Sequence, residues 1–88
     1  MHKYRDMVKE FLVGYIIETR KGKGLKKNAM SIWLRIDPRS YADIEAKKCG
    51  ISAASLLLFE CCLEDLELLD MIHEFRGNLE KLDEQAAM

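Results

Sequence analysis

The chain has 88 residues and a mass of 10.2 kDa, which is room for one small domain. Such a domain hides only about 60–65% of the surface its unfolded chain exposes, so its own core is marginal. Hydrophobic residues make up 49% of the chain and charged ones 33%, with one Pro and five Gly. That excludes a disordered or low-complexity chain and suggests a core completed by a second copy.

The net charge of −1 conceals an asymmetry. Residues 1–35 carry nine Lys/Arg against three Asp/Glu, a net of +6; residues 36–88 carry five against twelve, a net of −7. The pI of about 6.1 does not suggest a polyanion partner, but the basic first third does. An exposed basic face with no ligand accounts for the charge equally well.

No apolar run approaches the roughly 20 residues of a membrane span. The longest, Phe11–Ile17 and Ile51–Phe59, are broken by Gly14 and diluted by Ser and Ala. The N-terminus mixes basic residues with Asp6 and Glu10 and lacks a small-residue cleavage site, so no signal peptide is expected. The cysteines are Cys49, Cys61 and Cys62, an odd number with two adjacent. Neighbours on a helix point about 100° apart and do not easily bridge, so we read all three as reduced, buried and cytoplasmic. His2 and His73 stand far from any cysteine pair, and no zinc spacing exists. Neither metal nor cofactor is expected. Without a nucleophile–base set or a phosphate loop, the chain does not read as an enzyme.

Residues 3–20 place Tyr4, Met7, Val8, Phe11, Leu12, Tyr15 and Ile16 at steps of three and four, which predicts a helix. An extended reading of 11–17 competes, because Gly14 and the β-branched Val13, Ile16 and Ile17 weaken the helical one. Arg20–Asn28 is a basic, glycine-bearing connector unsuited to regular structure. In residues 30–36, Met30, Ile32, Leu34 and Ile36 alternate with Ser31, Trp33 and Arg35, which predicts a strand. Asp37 is a good N-cap and Pro38 suits a first helical turn, so a short helix follows over about 38–49 and ends at Gly50. Ser52 caps a long helix from residue 53, striped by Leu56, Phe59, Leu63, Leu66, Leu69, Ile72 and Phe75. Gly77-Asn78 breaks or bends it, and Leu79 and Leu82 continue the spacing.

A single strand needs a partner for its N–H and C=O groups, and no second strand is offered. Pairing with the same strand of another copy across a two-fold axis supplies one. Ser31, Trp33 and Arg35 then form a doubled platform, while the even-numbered face closes over the helices.

The order basic segment, alternating strand, short helix, Gly-hydrophobic-Ser turn and apolar helix resembles the ribbon-helix-helix family of dimeric DNA-binding proteins. The resemblance covers about residues 29–69, with Ala46-Lys47-Lys48-Cys49-Gly50-Ile51-Ser52 as its most specific piece. It implies a mainly α fold with one short strand, forming a ribbon-helix-helix homodimer around an intermolecular, two-stranded antiparallel β-ribbon. A basic N-terminal extension and connector (1–28), helical in its first part, would precede that domain (29–76), and a helical tail (77–88) would follow. The implied function is sequence-specific regulation of transcription, as a repressor inserting its ribbon into the major groove of double-stranded DNA.

B-DNA's major groove admits a two-stranded ribbon, and Arg35 is the best base reader because its fork fits guanine N7 and O6. Ser31 bonds donor or acceptor. Trp33 lies over a thymine methyl or the sugar-phosphate wall, or else packs on the N-terminal helix. Ser52 and the Ala53 backbone N–H sit at a helix N-terminus that in the resembled family clamps a phosphate; a plain helix cap is the alternative. Lys26, Lys27, Lys47 and Lys48 extend the phosphate track, unless the connector is only a solvated linker. The dimer core comprises Ile32, Leu34, Ile36, Leu56, Phe59, Leu63 and Leu66. Dimers are expected, with assembly into higher oligomers left open. The acidic stretch Glu60–Glu74 is a solvent face or a surface for a protein partner. The competing function is a protein-interaction module, such as an antitoxin or a phage-encoded inhibitor, built on the same dimeric core.

Overall fold

The computed structural model describes residues 2–87, and among them there are five helices and no strand. They are α1 (His2–Gly22), α2 (Lys27–Leu34), α3 (Pro38–Glu45), α4 (Ala53–Cys61) and α5 (Asp65–Ala87).

The first correction concerns the expected strand, and with it the ribbon-helix-helix fold and its intermolecular ribbon. Residues 30–34 are helical. Met30, Ser31 and Leu34 fit the period of two only in part, but at steps of one, three and four they share one helical face, and all three are buried. Alternation over seven residues is compatible with both periods. The helix wins because it satisfies its own backbone groups, whereas a lone strand leaves a ladder unpaired. The cost falls on Ile32, which is 72% exposed.

α1 forms as its spacing predicts, with Gly14 exposed and Val13 and Ile16 buried beside it. It runs antiparallel to α5. The Tyr4 hydroxyl donates to Asp83 Oδ1 (2.6 Å), Phe11 meets Phe75 at 5.2 Å between ring centroids, and the Tyr15 hydroxyl donates to the Glu67 carbonyl (3.1 Å). Against this pair pack α2, α3 and α4, with α2 contacting both other short helices. Val13, Ile16, Met30, Leu34, Tyr41, Ile44, Phe59 and Leu63 form one buried cluster.

The expected long helix from residue 53 is two helices. The chain turns at 62–64, burying Leu63, and α5 restarts with the Glu67 carboxylate accepting the Glu64 N–H (2.9 Å). An apolar stripe that runs through both helices hid this turn. Beyond it, α5 passes through Gly77-Asn78 without interruption. The short helix also ends earlier than expected, at Glu45. Lys47 takes the left-handed position (φ 62°), whereas Gly50 does not have a positive φ. The three cysteines are free thiols, as expected, but all are exposed rather than buried.

Candidate nucleic-acid interface

α2 and α3 are joined by three residues, Arg35, Ile36 and Asp37. Arg35 adopts the left-handed conformation (φ 55°, ψ 46°), which ends α2 abruptly, and its N–H bonds the Ile32 carbonyl (3.1 Å). Ile36 turns partly inward against the core. Asp37 then opens α3, accepting from the Ser40 N–H (2.9 Å) and the Ser40 hydroxyl (2.8 Å). Those two bonds, the backbone one foremost, hold its carboxyl below its ordinary range. Pro38 follows in the first turn, where its missing N–H costs nothing.

The inner face of α3 carries Tyr41 and Ile44, both buried. Its outer face carries Arg39, Ala42, Asp43 and Ala46, with Asp43 half-buried and the other three exposed. Glu45 fixes the far end of the helix. Arg20 donates to it with two prongs, Nε to Oε2 (2.7 Å) and Nη2 to Oε1 (3.2 Å), while Nη1 reaches the Leu25 carbonyl (3.2 Å). The buried Tyr41 hydroxyl donates to the same carboxylate. Burial works to raise the Glu45 pKa, but donation from Tyr41 and Arg20 and the charges of Arg20 and Lys27 outweigh it, and the carboxyl lies below its usual range. Tyr41 moves the other way: burial, then its bond to Glu45, pushes the phenol well up.

Positive side chains bracket the outer face. Arg35 and Arg39 stand at its start. At its end Lys27 Nζ lies 4.0 Å from Glu45, so the Lys26–Lys27 start of α2 meets the end of α3, where Lys47 and Lys48 follow. All four lysines are exposed. Residues 20–48 hold nine Lys/Arg against three Asp/Glu, a net of +6. The opposite charge collects in residues 60–84, with nine Asp/Glu against two Lys/Arg, a net of −7.

The residues named from the sequence are therefore redistributed. Ser31 is buried, its hydroxyl donating to the Asn28 carbonyl (2.6 Å), and faces no groove. Trp33 is half-buried, 6.3 Å from the Phe59 ring of α4, with Lys23 Nζ 5.9 Å from its own centroid, a position not among those expected for it. Arg35 is exposed, but in a turn rather than on a platform. Ser52 caps α4 by accepting the Ser55 N–H (3.1 Å), and Ala53 is exposed in its first turn. Of the expected dimer core, Leu34, Phe59 and Leu63 are buried within one chain, Ile36 and Leu56 are half-buried, and Ile32 and Leu66 face outward.

Arg39 and Ala42 were not named as site residues from the sequence, and Ala46 entered only as the first residue of the Gly-hydrophobic-Ser turn motif. The signal that finds them is Asp37-Pro38 read as a helix start close behind another helix, rather than as a strand end.

No group of His, Cys, Asp or Glu side chains suited to a metal ion occurs among the described residues, and no described helix is long and apolar enough to cross a membrane. Comparison with protein-family models, curated proteins and solved structures finds no match to this chain.

Proposed function

We propose that this protein binds double-stranded DNA as a sequence-specific regulator, presenting α3 rather than a β-ribbon to the major groove. The observation that carries the reading is the α2–turn–α3 unit. Two eight-residue helices are joined by three residues with a left-handed first position, and the outer face of the second carries Arg39, two alanines and one carboxylate, Asp43, between flanking cations. A helix–turn–helix of this kind places its second helix in the major groove, where residues near that helix's N-terminus touch base edges. Arg39 stands there, with a fork suited to guanine N7 and O6. Ala42 fits against a thymine methyl without holding the helix away from the bases. Arg35, Lys26, Lys27 and Lys48 supply phosphate contacts, which fix register without reading sequence. A homodimer belongs to the same reading, since two copies would read two half-sites.

Selection of bound duplexes from a random pool, followed by titration of the recovered sequence, tests this. The wild-type chain should enrich one sequence. Arg39→Ala should keep its fold and lose about 5- to 150-fold of discrimination, corresponding to roughly 1–3 kcal/mol for a two-pronged base contact. An Arg39→Ala protein that prefers the selected site as strongly as the parent, or a parent that enriches nothing, overturns the proposal and favours a protein-interaction module.

A further inference from the structure

α4 is apolar nearly all round: Ala53-Ala54-Ser55-Leu56-Leu57-Leu58-Phe59-Glu60-Cys61 contains one charge. Such a helix is ordinarily enclosed. Here one side is, with Ser55 and Phe59 buried, but Ala54, Leu57 and Cys61 are exposed on the other. Helical spacing gathers those three and the half-buried Leu58 within about 100° of arc. Beside them a groove of about 640 Å³ opens between the ends of α2 and α4, walled by Ile32, Ile36, Leu58, Cys61 and Cys62, with Arg35 as its one charged wall. Ile32 and Leu57, 72% and 62% exposed, are its most prominent apolar neighbours.

We propose that this face is where a second copy of the chain docks, with α4 packing antiparallel against α4 of the partner across a two-fold axis between Leu57 and Leu58. Ile32 and Leu57, the most exposed of these side chains, adjoin Ala54, Leu58 and Cys61 in one apolar patch of the kind that marks an interaction site on a protein surface. A standard interface of about 800 Å² per partner is a little over half apolar, and the exposed side of α4 supplies apolar side chains throughout. The sequence is self-complementary under that axis. Leu57 meets Leu58 of the partner subunit, and Ala54 meets Cys61 of the partner subunit, so the small residues flank the large pair and let the helices approach to about 8–10 Å. With almost no charge on the face, no oppositely charged partner is called for. α3 contributes no wall to the groove, and the DNA surface and this one meet only at Arg35 in the turn before α3.

Sedimentation of the full chain in the absence of DNA tests the inference. The wild-type protein should run at twice its chain mass. Leu57→Glu, a change at a position already exposed in the single chain, should halve that mass with the helical circular dichroism unchanged. A second variant reads the register directly: Ala54→Cys should give an oxidised, disulfide-linked dimer that disappears when Cys61→Ser is added. A monomeric wild-type protein overturns the inference, as does a Leu57→Glu protein that remains dimeric. An Ala54→Cys protein whose cross-link survives Cys61→Ser overturns the antiparallel register. A dimer without DNA binding would sink the proposed function and leave this interface standing.

Discussion

Arg20 at the end of α1 and Glu45 at the end of α3 are 25 residues apart in sequence and joined by a two-pronged ion pair. The pair sets the position of α3. Both side chains are mostly covered, the guanidinium also holds the Leu25 carbonyl of the connector, and Tyr41 donates to the same carboxylate from inside the core. A segment that looks like a solvated basic linker is thus partly fixed from within, and Arg20 is withdrawn from the charges available to a ligand.

Glu45→Gln should destabilise the fold by about 1–3 kcal/mol, because it removes the charge from three donors' common acceptor. The pH dependence has a definite sign. The folded Glu45 carboxyl lies below its ordinary 4.5, so its contribution is present at neutral pH and is lost as pH falls below that value through the folded one. Urea titrations at several pH values should show wild type and Glu45→Gln converging in stability under acid conditions. Parallel curves down to the lowest pH would show that the ion pair contributes nothing.

Phe59 is fully buried where α1, α2 and α4 meet, with Tyr15 at 6.4 Å and Trp33 at 6.3 Å between ring centroids. Phe59→Ala should cost about 3–5 kcal/mol, since the surrounding rings cannot collapse into the space. A domain of this length holds only about 4–13 kcal/mol in total, so the variant should melt far earlier than the parent or arrive unfolded. Thermal denaturation followed by circular dichroism decides it.

Two left-handed positions predict opposite outcomes for opposite substitutions. Arg35 sits at φ 55° and Gly24 at φ 68°, the latter in the turn between α1 and α2. Arg35→Gly should stabilise by up to about 1 kcal/mol by relieving a conformation that side chains resist. Gly24→Ala should destabilise by about as much, although no atom crowds the added methyl. Chemical denaturation midpoints compare them directly. A loss of stability in Arg35→Gly would mean that the arginine side chain contributes more than its backbone strain costs.

Helix boundaries tied to local chemistry were legible in the sequence. Asp37-Pro38 and Ser52 mark the starts of α3 and α4, and the spacing of Val8, Leu12, Tyr15 and Ile16 marks α1. What failed was the choice between two periods over a short segment. Met30 and Leu34 are compatible with either, and only the absence of a ladder partner separates them. The division of α4 from α5 was illegible for a related reason. Leu63 belongs to the apolar stripe of one continuous helix, and it is equally the residue buried by a turn. The basic surface was visible as composition, but not which of its members are taken. Arg20 and Lys27 are paired with Glu45 and Lys23 with Glu67, while Lys26, Arg39 and Lys48 remain exposed without an ion pair.

That distinction yields the last prediction. If DNA lies along α3, the exposed lysines at its end touch phosphates, and removing one of them should flatten the plot of log K against log salt by about 0.9. Lys26→Gln with Lys48→Gln should therefore reduce the slope by about 1.8 and weaken binding to all sequences alike, since phosphates carry no base identity. Lys23→Gln is the internal control. Its ammonium already lies 3.2 Å from the Glu67 carboxylate, so its removal should leave the slope nearly unchanged. Titrations at four or five salt concentrations on one selected and one unrelated duplex measure both effects. Equal changes from Lys23→Gln and from the exposed pair would mean that the charges act only through the net charge of the protein, and α3 would lose its place at the DNA.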